Sequence, residues 1–257
     1  IADVTVIPEE NKPFYAEQVV YLPDSYMPQD SKRRIAETYP SRAAAGLPER
    51  AFVFASFNNA YKFNEPTFAI WMRLLNAVSE SVLWLPTASA AAMRNLRREA
   101  QAHGIEPDRI VFAPHLPSAD DHLARLKLAD LFLDTFPYNA HTTASDALWA
   151  GLPVLTRQGE SFASRVAASL LLAAGLPELI TNDADAYERK ALELARDPTR
   201  LTGLRAKLAA NRNSCALFDT ARFTRSLEAA YSQMWERAQR GEPPASFAVA
   251  APGSALT

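Results

Sequence analysis

The chain has 257 residues, 48% of them apolar, enough for one large domain or one domain with substantial additions. Its charges nearly cancel, with 27 Lys and Arg against 29 Asp and Glu for a net −2, so nothing in the bulk charge draws it to nucleic acid or to an anionic membrane. Only 8 residues are glycine and no two of them form Gly-x-Gly, which excludes the dinucleotide-binding fingerprint and the Walker A loop.

The elements are read in chain order. Residues 1–45 are proline-rich and irregular, with one possible strand in Gln18-Val19-Val20-Tyr21-Leu22. Their aromatics (Phe14, Tyr15, Tyr21, Tyr26 and Tyr39) argue that this connector packs on something; a disordered linker is the alternative. From residue 50 the pattern is regular. A buried strand spans 52–57, and a helix opens at Glu65-Pro66, where proline fits the first turn. A strand at 82–85 precedes a helix over 89–103 that ends at Gly104. Strand 110–113, helix 120–127 and strand 131–134 follow. Helix 142–150 is closed by Gly151, and strand 154–155 leads to helix 161–174, closed by Gly175. A short strand is expected at 178–180. Residues 184–240 read as helices only, with Phe223, Leu227, Ala230, Tyr231 and Met234 as one apolar stripe. Residues 241–257 read as a frayed tail.

Short apolar strands alternating with helices predict an α/β fold with a doubly wound parallel sheet. Such sheets bind ligands outside the carboxyl ends of their strands, so the strand-to-helix loops should carry the chemistry. The lone cysteine, Cys215, excludes an internal disulfide and reads as a half-buried thiol in a helix connection. No segment resembles a signal peptide, the longest apolar stretch (166–175) is too short to span a bilayer, and the reducing cytoplasm is the expected location. The chain opens at Ile1 in mid-pattern and is expected to be part of a longer polypeptide.

Polar residues collect in those loops: Asn58, Asn59 and Lys62 after the first regular strand, Pro114 and His115 after the third, and Asp134 through Asp146 after the fourth. His141, Thr142 and Thr143 sit at a helix start, where free N–H groups and a partial positive charge suit a diphosphate. Simple capping of the helix by a threonine is the alternative. Lys62 could reach the same phosphates as a point charge, or be a surface lysine. Asp146 lies one turn beyond Thr142 on the same face, placed to accept from ribose hydroxyls. His122 and Arg125, three apart, suit stacking on a base; a surface histidine and a salt-bridging arginine are the alternatives. His103, before a helix-ending glycine, reads as a surface residue. His115, His122 and His141 lack metal-ligand spacing, so no metal is expected. No nucleophile elbow exists, and Asp134 and the histidines leave a proton-transfer role open.

The segments "FNNAYKFNEPTFAIWMRLLNAVSESVLWL", "DLFLDTFPYNAHTTASDALWAGLPVLT" and "ESFASRVAASLLLAAGLPELI" resemble the O-GlcNAc transferase family, which includes SPINDLY-like proteins. The similarity runs over about residues 1 to 240, looks closest to bacterial members, and is most specific in the His-Thr-Thr block with its following "ALWAGLPV". It implies the C-terminal half of a GT-B glycosyltransferase. That half would bind UDP-GlcNAc for inverting transfer to Ser or Thr hydroxyls of an acceptor protein or peptide, with no metal. Asn59 and Lys62 match positions at the diphosphate, and His141, Thr142 and Thr143 match the phosphate-binding helix start. His122 and Arg125 match positions around the uracil, with Pro114, His115 and Leu116 lining the base. Asp146 matches a ribose contact, and Tyr138 lies near the sugar ring. The family's ribose-contacting lysine has no counterpart, because Ser118 and Ala119 stand there. The resemblance further implies a division of the chain. Residues 1–45 would be the linker from a preceding half that carries tetratricopeptide repeats, the acceptor groove and a proposed catalytic histidine. Residues 46–218 would be the nucleotide-sugar domain, 219–240 a helix returning to the first half, and 241–257 a tail. A relative using GDP-fucose or UDP-glucose, and a non-catalytic nucleotide-binding scaffold, are the competing functions.

Overall fold

The computed structural model describes residues 1–251. In chain order its elements are β1 (Val20–Tyr21), β2 (Phe52–Ala55), α1 (Glu65–Ala77), β3 (Ser81–Pro86), α2 (Ala90–Ala102), β4 (Ile110–Ala113), α3 (Ala119–Arg125), β5 (Leu131–Leu133), α4 (Thr142–Ala150), β6 (Val154–Arg157), α5 (Val166–Ala173), β7 (Ile180–Thr181), α6 (Ala184–Arg196), α7 (Pro198–Asn211), α8 (Thr220–Gln239) and β8 (Phe247–Ala248). Strands β2 to β7 form one parallel sheet in the order β4-β3-β2-β5-β6-β7. The strand order reverses between β2 and β5, where Phe54 pairs with Leu131 and Ala55 with Phe132. A parallel sheet opens a crevice at such a reversal, outside its carboxyl ends.

The sheet forms because its strands are apolar along their length rather than alternating, so both faces must be covered. Val53, Phe54, Ala55 and all of β5 are fully buried, and Trp71, Trp84, Phe132 and Met72 fill the layers around them. Each Val, Leu, Phe or Met among them contributes about 1.5–3 kcal/mol by leaving water. At the amino edge, Asp130 accepts from the Val53 N–H and pairs with Arg42 and Arg205, tying the connector and α7 to the sheet.

Residues 1–45 are irregular yet anchored. Buried Asp3 accepts from the N–H groups of Thr5, Val6 and Tyr26 and from the Ser169 hydroxyl on α5. Tyr15, Tyr21 and Tyr26 pack as expected, whereas Phe14 is 84% exposed and Tyr39 46%. Four sequence expectations change. The stretch 178–180 is mainly a 3₁₀ turn (Pro177–Leu179), with the strand displaced to Ile180–Thr181, because Pro177 opens a turn before the chain can join β6. The helix expected from 161 begins as a separate turn closed by the reciprocal Ser161–Ser164 capping box, and α5 starts only at Val166. In the stripe on α8, Ala230 is buried and Phe223 and Met234 half-buried, while Tyr231 and Trp235 are exposed. The tail does not fray at once: β8 pairs with β1, because Phe247 and Val249 pack with Val20, Leu22 and Ala230. Residues 252–257 lie outside the described residues.

Candidate functional site

Two loops meet at the strand reversal, 56–64 after β2 and 134–141 after β5, and polar side chains stitch them together. Buried Asn58 donates to the Thr135 hydroxyl at 3.0 Å and accepts from the Thr143 hydroxyl at 2.8 Å. Asn64 donates to the Phe136 carbonyl at 2.7 Å. Lys62 Nζ donates to the Asn139 carbonyl at 2.8 Å and lies 3.9 Å from the centre of the Tyr138 ring. Burial lowers the Lys62 pKa from its ordinary value, and the Coulombic pull of Asp134 works against that.

Asp134 organises the second loop. One carboxylate oxygen accepts from the N–H groups of Thr135 at 2.7 Å and Ala140 at 2.6 Å, and the other from the Thr156 hydroxyl at 2.6 Å. Complete burial pushes its pKa up to about 7, against those donors and Lys62. Its geometry is that of a loop-holding acceptor.

The start of α4 lies beside this hub. Its N-cap, His141, offers no side-chain cap, so the expectation that Thr142 or Thr143 might merely cap the helix does not hold. Thr143 is turned to Asn58 instead, and the first carbonyl-bonded N–H groups are those of Ala144 and Ser145, both to the His141 carbonyl. The N–H groups of Thr142 and Thr143 have no partner among the described residues, which makes an anion-binding helix terminus. Burial, then Lys62, lowers the His141 pKa, so the ring is neutral at pH 7; its Nε2 is buried without a partner. Tyr138 is 40% exposed, with its ring 5.3 Å from that of His141. Asn59 is exposed, and its carbonyl accepts from the Lys62 N–H.

The remaining predicted residues line the adjoining wall. His122 packs edge-on against Phe57, their ring centres 5.6 Å apart. Arg125 is buried and its guanidinium is occupied within the protein: Nε donates to His122 Nδ1 at 3.1 Å and Nη1 to the Pro114 carbonyl. Because arginine stays protonated, His122 Nδ1 is the acceptor and the proton sits on Nε2. Burial and then Arg125 lower the His122 pKa, which favours that neutral form. Pro114 and His115 are exposed and Leu116 is half-buried. Asp146 is largely buried and accepts from Arg33 Nη1 at 2.5 Å.

The fold therefore brings Lys62, Tyr138, His141 and the start of α4 together at the strand reversal, with His122 and Arg125 against Phe57 of the same first loop. Sequence reasoning missed Asn58, the residue of the Asn58-Asn59 pair that points inward. It also missed the contribution of Phe57 and that of Arg33, which lies 113 residues from Asp146 in an irregular segment that gave no signal. An apolar cavity of about 250 Å³ between α1, the β5–α4 loop and α6 touches Asp134 but none of the predicted ligand residues. Among the described residues, no group of three or more His, Cys, Asp or Glu could hold a metal ion, and no helix is long and apolar enough to cross a membrane.

The chain is similar to known proteins along most of its length. A family model described as glycosyl transferase family 41 matches residues 29–227. The chain is 39% identical over 255 residues to the Arabidopsis thaliana protein named probable UDP-N-acetylglucosamine–peptide N-acetylglucosaminyltransferase SEC, covering 97% of this chain and 26% of that protein. It is 39% identical over 203 residues to the Caenorhabditis elegans UDP-N-acetylglucosamine–peptide N-acetylglucosaminyltransferase, covering 79% of this chain and 18% of that one. The chain thus spans about a quarter or less of these relatives. The structure of a mutant Thermobaculum terrenum O-GlcNAc transferase superposes with a TM-score of 0.84 at 30% identity, over 93% of this chain and 45% of that one. Sucrose-phosphate synthase from Thermosynechococcus elongatus, at 17% identity and a TM-score of 0.57 over 81% of this chain and 51% of that one, shares the fold alone.

Proposed function

This chain belongs to glycosyl transferase family 41, and from that premise we propose that it is the donor-binding half of a protein O-GlcNAc transferase, moving N-acetylglucosamine from UDP-GlcNAc to Ser or Thr hydroxyls with inversion. The observation that carries this reading is the uncapped start of α4, with two unpartnered N–H groups one loop away from Lys62. As the anomeric bond breaks, negative charge grows on the departing UDP diphosphate. Lys62 and the Thr142 and Thr143 N–H groups are fixed donors for that charge and act more strongly on the transition state than on the ground state. His141 adds its free Nε2, and Asn59 flanks the same end. His122 Nε2–H and the Pro114-His115-Leu116 loop hold the uracil, with Arg125 fixing His122 and the Pro114 carbonyl from behind; Asp146 holds the ribose, and Tyr138 flanks the sugar.

In this reading residues 1–45 are the linker from a preceding half. Residues 46–218 form the nucleotide-sugar domain, α8 returns to that half with Tyr231 and Trp235, and 241–257 form a tail. The preceding half would supply the acceptor groove, the tetratricopeptide repeats and the general base. A single free thiol, Cys215, fits a location in the reducing cytoplasm. Calorimetric titration of this chain with UDP, followed by transfer assays with labelled UDP-GlcNAc, tests the proposal. This chain should bind UDP without transferring sugar, and the full-length protein should transfer it. A chain that does not bind UDP defeats the reading, and preferred binding of GDP-fucose or UDP-glucose reassigns the donor.

A further inference from the structure

Asp146, one turn into α4, has a partner from outside the sheet domain. Arg33 reaches it from the irregular segment before β2, with Nη1 at 2.5 Å from Oδ1 and side chains 26% and 12% exposed. The segment that carries Arg33 is held along its length. Trp149 Nε1, on α4, donates to the Arg33 carbonyl at 3.2 Å. The Ala36 N–H donates to the Asp120 carbonyl on α3. At the start of α8, the Thr220 hydroxyl donates to the Gln29 carbonyl and accepts from the Ser31 N–H. Gln29 also accepts from the Ser145 hydroxyl, next to Asp146. Arg33 is therefore a placed side chain, not a loose surface arginine.

The pair is only half satisfied. Asp146 Oδ2 accepts no hydrogen bond among the described residues, and Arg33 Nε and Nη2 donate to none. Both groups lie close enough to act electrostatically on His122, Asp146 raising its pKa and Arg33 lowering it. The pair sets a carboxylate acceptor beside a guanidinium fork, about 6 Å along the helix from Thr142. A ribose places its vicinal diol at a comparable remove from its 5′-phosphate. Each hydroxyl of a diol both donates and accepts, so a carboxylate and a guanidinium side by side meet both needs, with the strength of charged hydrogen bonds.

We propose that Arg33 is a nucleotide-binding residue: with Asp146 it reads the ribose diol, which makes residues 29–36 part of the binding site. This rests on the reading that the start of α4 holds the diphosphate. It also predicts that nucleotide occupancy tightens the segment leading into the sheet domain.

The test titrates UDP, 2′,3′-dideoxy-UDP and inorganic diphosphate into the full chain and its Arg33→Met and Arg33→Lys variants, with thermal melts to confirm folding. The unaltered chain should favour UDP over the dideoxy form by about tenfold or more, because buried polar groups reject a ligand lacking their partners. Arg33→Met should bind UDP about tenfold more weakly. It should lose the preference for the diol and bind diphosphate as before. Arg33→Lys keeps the charge but not the fork, and should lose most of the preference. Should Arg33→Met not fold, Arg33→Lys decides. Either folded variant keeping the original UDP to dideoxy-UDP ratio overturns the proposal, as does an equal loss of UDP and diphosphate binding, which marks a structural role only. Failure of the unaltered chain to bind UDP overturns the donor-site reading and this assignment together. UDP binding with an unchanged ratio in the variants overturns this assignment alone.

Discussion

Helices α1 and α4 follow the two neighbouring strands where the sheet order reverses, yet their first turns are built in opposite ways. At α1, Asn64 closes the helix: its side chain accepts from the Thr67 N–H at 3.0 Å, and Pro66 sits where a missing N–H costs nothing. At α4, His141 offers no cap, and the Thr143 hydroxyl in the first turn is turned away to Asn58. One start is satisfied by its own sequence and the other needs a ligand. A helix terminus becomes a site when its obvious cap is engaged elsewhere, and here Asn58 does the engaging while Asp134 holds the loop before it.

Four experiments break or sharpen this contrast. The largest effect concerns Asp134, whose carboxylate holds the loop that leaves α4 open. Its folded pKa, about 7, lies above the unfolded value of 3.8, so the native state binds the extra proton. The stability this contributes is fully present below pH 3.8 and is lost as pH rises through about 7, a swing on the order of 4 kcal/mol at about 1.4 kcal/mol per pH unit. Asp134→Asn, which retains an acceptor for Ala140, should lack that swing; denaturant unfolding across pH, compared between the two proteins, measures it. Identical pH profiles would remove Asp134 as a titrating group.

Next is Lys62→Ala in the full-length protein. The transfer rate should fall by about 10²–10³, as when one preorganised donor to a developing anion is removed. UDP affinity should fall less; equal losses in kcat and affinity would make Lys62 a uniform binding contact. His141→Asp then makes α4 resemble α1. The new carboxylate can cap the helix and repels a diphosphate, so UDP affinity should drop by about tenfold or more by calorimetry. Unchanged affinity would place the phosphates elsewhere. The smallest effect is Asn64→Ala, which uncaps α1 at a cost of about 1 kcal/mol and lowers Tm by about 2–4 °C. A loss of UDP affinity as large as that of His141→Asp would mean the two helix starts are not distinct in function.

Much of the scaffold was legible in the sequence. Strand 110–113 and helix 142–150 match β4 and α4 in both bounds, since apolar runs and a closing glycine are local signals. Gly104, Gly151 and Gly175 all adopt positive φ at helix ends. Elements that depend on partners were less legible. Strand β8 exists only because β1 stands ready to pair with it, and no local pattern in 241–251 announces that. Arg125 looked like a ligand-facing residue on its helix; folding turns it inward to fix His122 and Pro114.

By itself the sequence determined the class of sheet, the loops that would carry polar chemistry, and the family, because these rest on periodicity and on contiguous motifs. Only the tertiary structure decided which donors are free. Whether Thr143 caps its own helix or binds Asn58, and whether Asp146 stands alone or beside Arg33, depends on residues 85 and 113 positions away. Hydrogen-bond satisfaction is a property of neighbours in space, and distant segments become neighbours only when the sheet closes its core and lays loop 56–64 and residues 29–36 against α4.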